Sequence, residues 1–100
     1  MMEVLEVVRF GVLPGVDTSL VAGRAAAIAG WLSDQPGFVS RVLAGPDEAG
    51  RWTDVVRWRS AEDAHRAASG FGGAPEAGPF IALLDGATVE MQHLTIVAAS

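Results

Sequence analysis

The chain has 100 residues, a formal net charge of −5 and an apolar fraction of one half, which suits one folded domain and argues against disorder. An acidic chain without a basic stripe repels phosphate backbones, so no nucleic-acid partner is expected. There is no Cys, Lys, Tyr or Asn, and all seven basic residues are Arg, which excludes thiol, Schiff-base and phenolic chemistry. Val4 to Leu13 is dense in Val, Leu and Phe, with Glu6 and Arg9 as interior charges. It reads as a strand covered on both faces. Pro14-Gly15 breaks it, and Asp17-Thr18-Ser19 offers an N-cap. Apolar residues at Leu20, Ala27, Ile28, Trp31 and Leu32 then predict one helix that stops before Pro36-Gly37.

Phe38 to Ala44 reads as a second strand and Trp52 to Trp58 as a third, with Gly45 to Gly50 as the hairpin loop between them. Ser60, with Asp63 three residues on, caps a second helix running to about Ser69. Gly70 to Gly78 reads as a loop, Phe80 to Leu84 as one helical turn and Asp85-Gly86 as a turn. Val89 to Val97 is the last strand. The order β-α-β-β-α-β predicts an α+β, ferredoxin-like domain over residues 1–100, with two helices on one face of a four-stranded antiparallel sheet. The other sheet face would expose an apolar patch, which predicts a homodimer through sheet faces. No apolar run reaches the roughly 20 residues of a membrane helix. Met1 to Glu6 carries two acids and no basic n-region. The expectation is a cytoplasmic protein with no membrane contact.

Three segments carry a family resemblance. Glu6-Val7-Val8-Arg9-Phe10 with Pro14-Gly15-Val16-Asp17 resembles the opening strand and turn of the antibiotic biosynthesis monooxygenase-like family. Gln35-Pro36-Gly37-Phe38 followed by Arg41 resembles its helix-to-strand junction. Trp52 to Trp58, then Ser60-Ala61-Glu62-Asp63-Ala64, resembles its third strand and second helix start. The resemblance implies the dimeric α+β barrel fold and a pocket between sheet and helices. Members include cofactor-free oxygenases of aromatic polyketides, quinol oxygenases and haem degraders, and fold alone does not choose among them. The haem-degrading branch is known for an Asn, a Trp and a haem-ligating His. Here there is no Asn, the Trp position matches Ala67, and the loop that would supply the His reads Gly72-Gly73-Ala74-Pro75. The polyketide-oxidising branch is linked with Asn, Trp, Tyr and Arg, of which two types are missing.

In ferredoxin-like order the first strand lies between the third and the fourth. Glu6, Asp54 and His93 are then interior residues of three adjacent strands, each in an apolar segment. A buried charge is costly unless paired. On one shared face the three would form a catalytic cluster in which a carboxylate shares a proton with His93. Such a base deprotonates a phenol or an acidic C–H. The resemblance implies that the resulting anion reacts with O₂ without a cofactor. On the alternative reading Glu6 and Asp54 pair with Arg9, Arg57 or Arg41 and only set sheet register. The same three residues could ligate a metal, but no ligand spacing supports one, and none is expected.

Trp52 and Trp58 share a strand face with Asp54, and Trp31 comes from the first helix. Together they predict a pocket that stacks a planar small-molecule ligand. Plain core packing is the competing role. His65 on the second helix could line the pocket mouth, and Phe71 and Phe80 could close over it. Two functions follow from this sequence. One is a cofactor-independent monooxygenase-like enzyme acting on an aromatic, polyketide or quinol-type molecule. The other is a non-catalytic dimeric ligand-binding or stress-responsive barrel domain.

Overall fold

In the computed structural model, which describes residues 2–100, alternate residues of β1 (Val4–Val12) turn toward a helical layer. Val4, Glu6 and Phe10 are buried on that side, while Leu5, Val7 and Arg9 point the other way. β1 pairs antiparallel with β3 (Trp52–Trp58) on one side and β4 (Leu84–Thr95) on the other. β2 (Phe38–Ala44) forms the far edge, giving the order β2-β3-β1-β4. The helices are α1 (Thr18–Ala26), α2 (Ala29–Ser33), α3 (Ala61–Phe71) and α4 (Ala77–Ile81). They cover one face of the sheet, so the α+β ferredoxin-like architecture is the one the chain adopts. Trp58, Phe10, Ile28 and Val21 are the largest side chains fully enclosed between the layers.

The first helical segment differs from the single helix expected. It divides at Ala27 and Ile28, because the Ala25 carbonyl is taken by other donors. Ile28 N–H donates to it at 3.1 Å, and Arg41 Nη1 reaches it from β2 at 2.7 Å. A continuous helix would give that carbonyl to Ala29. The buried stripe is also displaced. Val21, Ala25, Ile28 and Leu32 face the sheet, and Leu20 and Ala27 face outward. Asp17 caps α1 as expected, accepting from Leu20 N–H at 2.8 Å and Ser19 Oγ–H at 2.7 Å. The Ser19 hydroxyl, then the Leu20 N–H, hold its carboxyl below the usual range.

Two further segments carry more structure than their composition suggests. α3 starts at its Ser60 cap but continues through Gly70 to Phe71, where Phe71 packs edge-on against Trp31 at 5.6 Å. α4 begins at Ala77, inside the segment read as loop, and takes in Gly78 and Pro79. Pro79 lies in the first turn, where its missing N–H costs nothing. The last strand begins at Leu84, not Val89, so Asp85-Gly86 belongs to it. The ladder to β1 shifts register between Arg9 and Gly11, and the extra β4 residues bulge there. Thr88 closes the bulge: its hydroxyl accepts from Gly11 N–H and donates to the Asp85 carbonyl, both at 2.7 Å.

Gly37, in the junction before β2, has φ +81°. Its carbonyl accepts from Arg59 N–H at 2.8 Å, tying the junction to the end of β3. A Cβ at this position would press on the Asp63 side chain near the start of α3, as close as 2.6 Å to its Cβ. Only glycine meets both demands. Gly37→Ala is therefore expected to cost about 1–3 kcal/mol from the left-handed backbone alone, with the contact adding to it. Urea unfolding of the variant against the wild type measures this, and an unchanged midpoint would show that the junction relaxes freely.

Candidate functional site

The register of the sheet decides which charges meet. Glu6 lies opposite His93 of β4, and Val8 lies opposite Asp54 of β3. Glu6, Asp54 and His93 thus all stand on the helix-covered face. They do not form one network, however. His93 Nε2 is 2.7 Å from Glu6 Oε2. Asp54 is gripped instead by Arg41: Nε reaches Oδ1 at 2.9 Å and Nη2 reaches Oδ2 at 2.6 Å. The three-residue cluster expected from the sequence resolves into two pairs, Glu6–His93 and Asp54–Arg41. The physical reason is reach. On β2, Leu43 lies opposite Asp54 and Arg41 opposite Val56 on the same face, so the long guanidinium reaches Asp54 diagonally.

A cavity of about 310 Å³ separates this face from the helices. Its walls are chiefly apolar, with Phe10, Val56 and Trp58 from the sheet and Ile28, Trp31, Phe71 and Phe80 from the helical layer. Glu6, Arg41 and Asp54 are the charged residues on its wall. Such a volume lies at the small end of ligand pockets. An apolar cavity of roughly half this size holds benzene, so a planar molecule of more than one ring has room. Among the described residues, no three His, Cys, Asp or Glu side chains converge in a way that could hold a metal ion.

The aromatic residues divide between roles. Trp31, Trp58, Phe71 and Phe80 line the cavity. Trp58 is wholly buried, packs edge-on against Phe38 at 5.8 Å, and leaves its indole N–H without a hydrogen-bond acceptor. Phe80 meets Phe10 edge-on at 5.7 Å. Trp52 stacks on Phe10, with ring centres 6.5 Å apart, and lies outside the cavity. It borders an open groove of about 730 Å³ between the α1–α2 segment and β2. His65 does not line the cavity; it is exposed on α3 and packs against the His93 ring. Arg41 touches both cavity and groove. It was legible in the sequence only as one of three possible partners for a buried acid, because its choice of Asp54 depends on register.

Solved structures with this fold are numerous. A variant of SnoaB, a cofactor-independent oxygenase from Streptomyces nogalater, is 25% identical, with a TM-score of 0.79 over 99% of this chain and 97% of that one. A candidate antibiotic biosynthesis monooxygenase from Bordetella bronchiseptica is 18% identical, with a TM-score of 0.80 over 98% of this chain and all of the other. The haem-degrading protein Rv3592 from Mycobacterium tuberculosis is 23% identical, with a TM-score of 0.70 over 99% and 96% of the two chains. At those two lower identities the likeness establishes the fold alone. No protein-family model matches the chain, and no curated protein does. The likeness to SnoaB, at 25% identity, supports the antibiotic biosynthesis monooxygenase-like family that the sequence motifs resemble.

The Asp54–Arg41 pair gives a direct test of structural against chemical roles. Both side chains are nearly enclosed. Arg41→Met would leave Asp54 buried without a counter-charge, a loss of about 3–5 kcal/mol by analogy with other broken buried pairs. Arg41→Met combined with Asp54→Leu should recover most of that loss. Chemical denaturation of the single and double variants measures the difference. Equal stability of the two would mean that the pairing is not what Asp54 needs.

Proposed function

We propose that the chain is a monooxygenase-like enzyme that needs no cofactor and oxidises a planar aromatic, polyketide or quinol-type molecule held in the cavity. The observation that carries this reading is the Glu6–His93 pair, with Glu6 on the wall of an apolar cavity large enough for fused rings. A carboxylate so placed takes the proton of a phenol or hydroquinone, and His93 stabilises the proton it gains. The O–H bond of the substrate breaks and an O–H bond forms on Glu6. The substrate anion that remains is electron-rich and passes an electron to O₂; the substrate radical and superoxide join in a C–O bond, the peroxide takes the proton back from Glu6, and its O–O bond breaks with loss of water to leave a carbonyl on the substrate. Burial among Trp31, Trp58, Phe71 and Phe80 keeps water from the anion while the ring faces hold its plane. The likeness to SnoaB, a cofactor-independent oxygenase, supports the same reading at 25% identity.

The test is oxygen uptake with hydroquinones and polycyclic phenols as probes. Glu6→Gln combined with His93→Phe should lower turnover by about 10²-fold or more, with the fold kept by circular dichroism. Retained activity would make the pair structural. One observation favours the second reading, a non-catalytic domain that holds a ligand. Both Asp54 oxygens are occupied by Arg41, which leaves a single acid for chemistry. Ligand binding without oxygen uptake in the wild type would decide for it.

We also propose that two copies pair through the uncovered sheet face. Leu5, Val7, Val42, Val55 and Leu94 share that face, and Val42 is 64% exposed and Leu94 48%. They form an apolar patch among Arg9, Ser40, Thr53, Arg57, Glu90 and Gln92 of the same face; an exposed apolar patch with a polar rim marks an interaction surface, and a two-fold pairing covers it with a copy of itself. No helix of the described residues is long and apolar enough to cross a membrane. Val42→Glu should shift the protein from dimer to monomer in light scattering. A wild-type mass of one chain would remove the dimer.

A further inference from the structure

Most of the cavity wall is buried or half-buried. Three of its side chains are not. Ile81 at the end of α4 is 44% exposed, and Val89 and Met91 of β4 are 39% and 51% exposed. Met91 lies opposite Val8 and lines the cavity, so it stands on the helix-covered face of β4. β4 is an edge strand. The cavity therefore opens along that edge, between β4 and the end of α4. A second approach competes with this one. The groove of about 730 Å³ between the α1–α2 segment and β2 meets the cavity at Leu32 and Arg41, which line both. That partition is sealed, because Leu32 is buried and Arg41 is fixed by its bonds to Asp54 and to the Ala25 carbonyl. Passage there breaks charge-assisted hydrogen bonds. At the β4 edge only apolar side chains, which make no hydrogen bonds, have to shift.

We infer that ligand enters and leaves the cavity through the apolar mouth between Ile81 and the Val89–Met91 edge of β4, and that these side chains set the rate of access. The inference rests on the ligand-holding role proposed above for the cavity. The mouth suits a molecule that is neutral on entry. Its three exposed side chains carry no charge, and a charged group loses its water there without gaining a partner. A phenol is uncharged at neutral pH, so it crosses the mouth intact. Its charge then arises inside, where Glu6 takes the proton. The net charge of −5 also disfavours anions at the entrance. Met91 fits the task, since an unbranched thioether side chain repacks around rings of different shape. The sheet-to-sheet dimer proposed above does not use this face, because Val89 and Met91 line the cavity while Leu94 points the other way.

The experiment follows 1-naphthol, a neutral fused-ring phenol, by stopped-flow quenching of the cavity tryptophans Trp31 and Trp58. Oxygen is excluded, so binding is seen apart from turnover. Ile81→Ala combined with Met91→Ala widens the mouth and should make association and dissociation several-fold faster. Ile81→Phe combined with Met91→Phe narrows it and should slow both several-fold. Kd should stay near the wild-type value in each, because an entrance changes both rates alike. A side chain that only packs on bound ligand changes dissociation and affinity instead. Ala26→Phe, which fills the α1–β2 groove, should leave both rates as they are. Unchanged rates in the mouth variants, a shift in Kd carried by dissociation alone, or slowing by Ala26→Phe would each overturn the inference. So would a lack of quenching in the wild type. Met91→Phe alone gives the same comparison should the double variant fold poorly. If the rates follow the mouth and no oxygen uptake is found with any probe, the enzyme reading fails while the entrance stands.

Discussion

Two carboxylates on the covered face of a sheet must each find a partner inside the protein, and the arrangement of the site follows from how they do so. Glu6 and Asp54 sit among Phe10, Trp52, Val56 and Trp58, where an unpaired charge would outweigh the packing around it. Each is answered from a different edge of the sheet. β4 supplies His93 to Glu6, and β2 supplies Arg41 to Asp54. The central position of β1 is what makes this possible, because it puts Glu6 against one edge strand and leaves β3 free to face the other.

The same pairings shape the helical layer. Arg41 does more than neutralise Asp54, since its remaining amino group takes the Ala25 carbonyl. That contact coincides with the division between α1 and α2. The chain then turns so that Ile28, Trp31 and Leu32 reach the cavity wall. On the other side Phe71 closes against Trp31 and Phe80 against Phe10. A charge pair on the sheet and an edge-on set of aromatic rings above it leave room between them, and the room is lined on its polar side by groups that already have partners. A ligand entering it meets apolar faces together with Glu6, Arg41 and Asp54.

Much of the fold was legible without coordinates, because strands announce themselves by period and turn residues. The three strands with clear boundaries, Val4–Val12, Phe38–Ala44 and Trp52–Trp58, stand within a residue of where alternation and Pro or Gly place them. The Ser60 cap and the Asp17 cap were legible for the same reason. The failures have a common physical source. Glycine and proline at 70–78 read as loop, but packing of Phe71 against Trp31 and of Phe80 against Phe10 holds helix at both ends of that stretch. Asp85-Gly86 reads as a turn, but the Thr88 hydroxyl substitutes for a ladder bond and lets the strand run through a bulge. In each case a contact distant in sequence overrides a local preference.

By itself, the sequence determined the element order, the ferredoxin-like topology and the short set of residues able to do acid–base work. It did so because period, caps and composition are local or additive properties, and the lack of Cys, Lys and Tyr needs no geometry to interpret. Only the tertiary structure decided which of those residues meet. Strand register is a two-residue repeat set by long-range pairing, and a one-residue slip would have turned Glu6 to the uncovered face. The register observed joins Glu6 to His93, gives Asp54 to Arg41, draws His65 out of the cavity and onto His93, and moves Trp52 from the pocket to its outer wall.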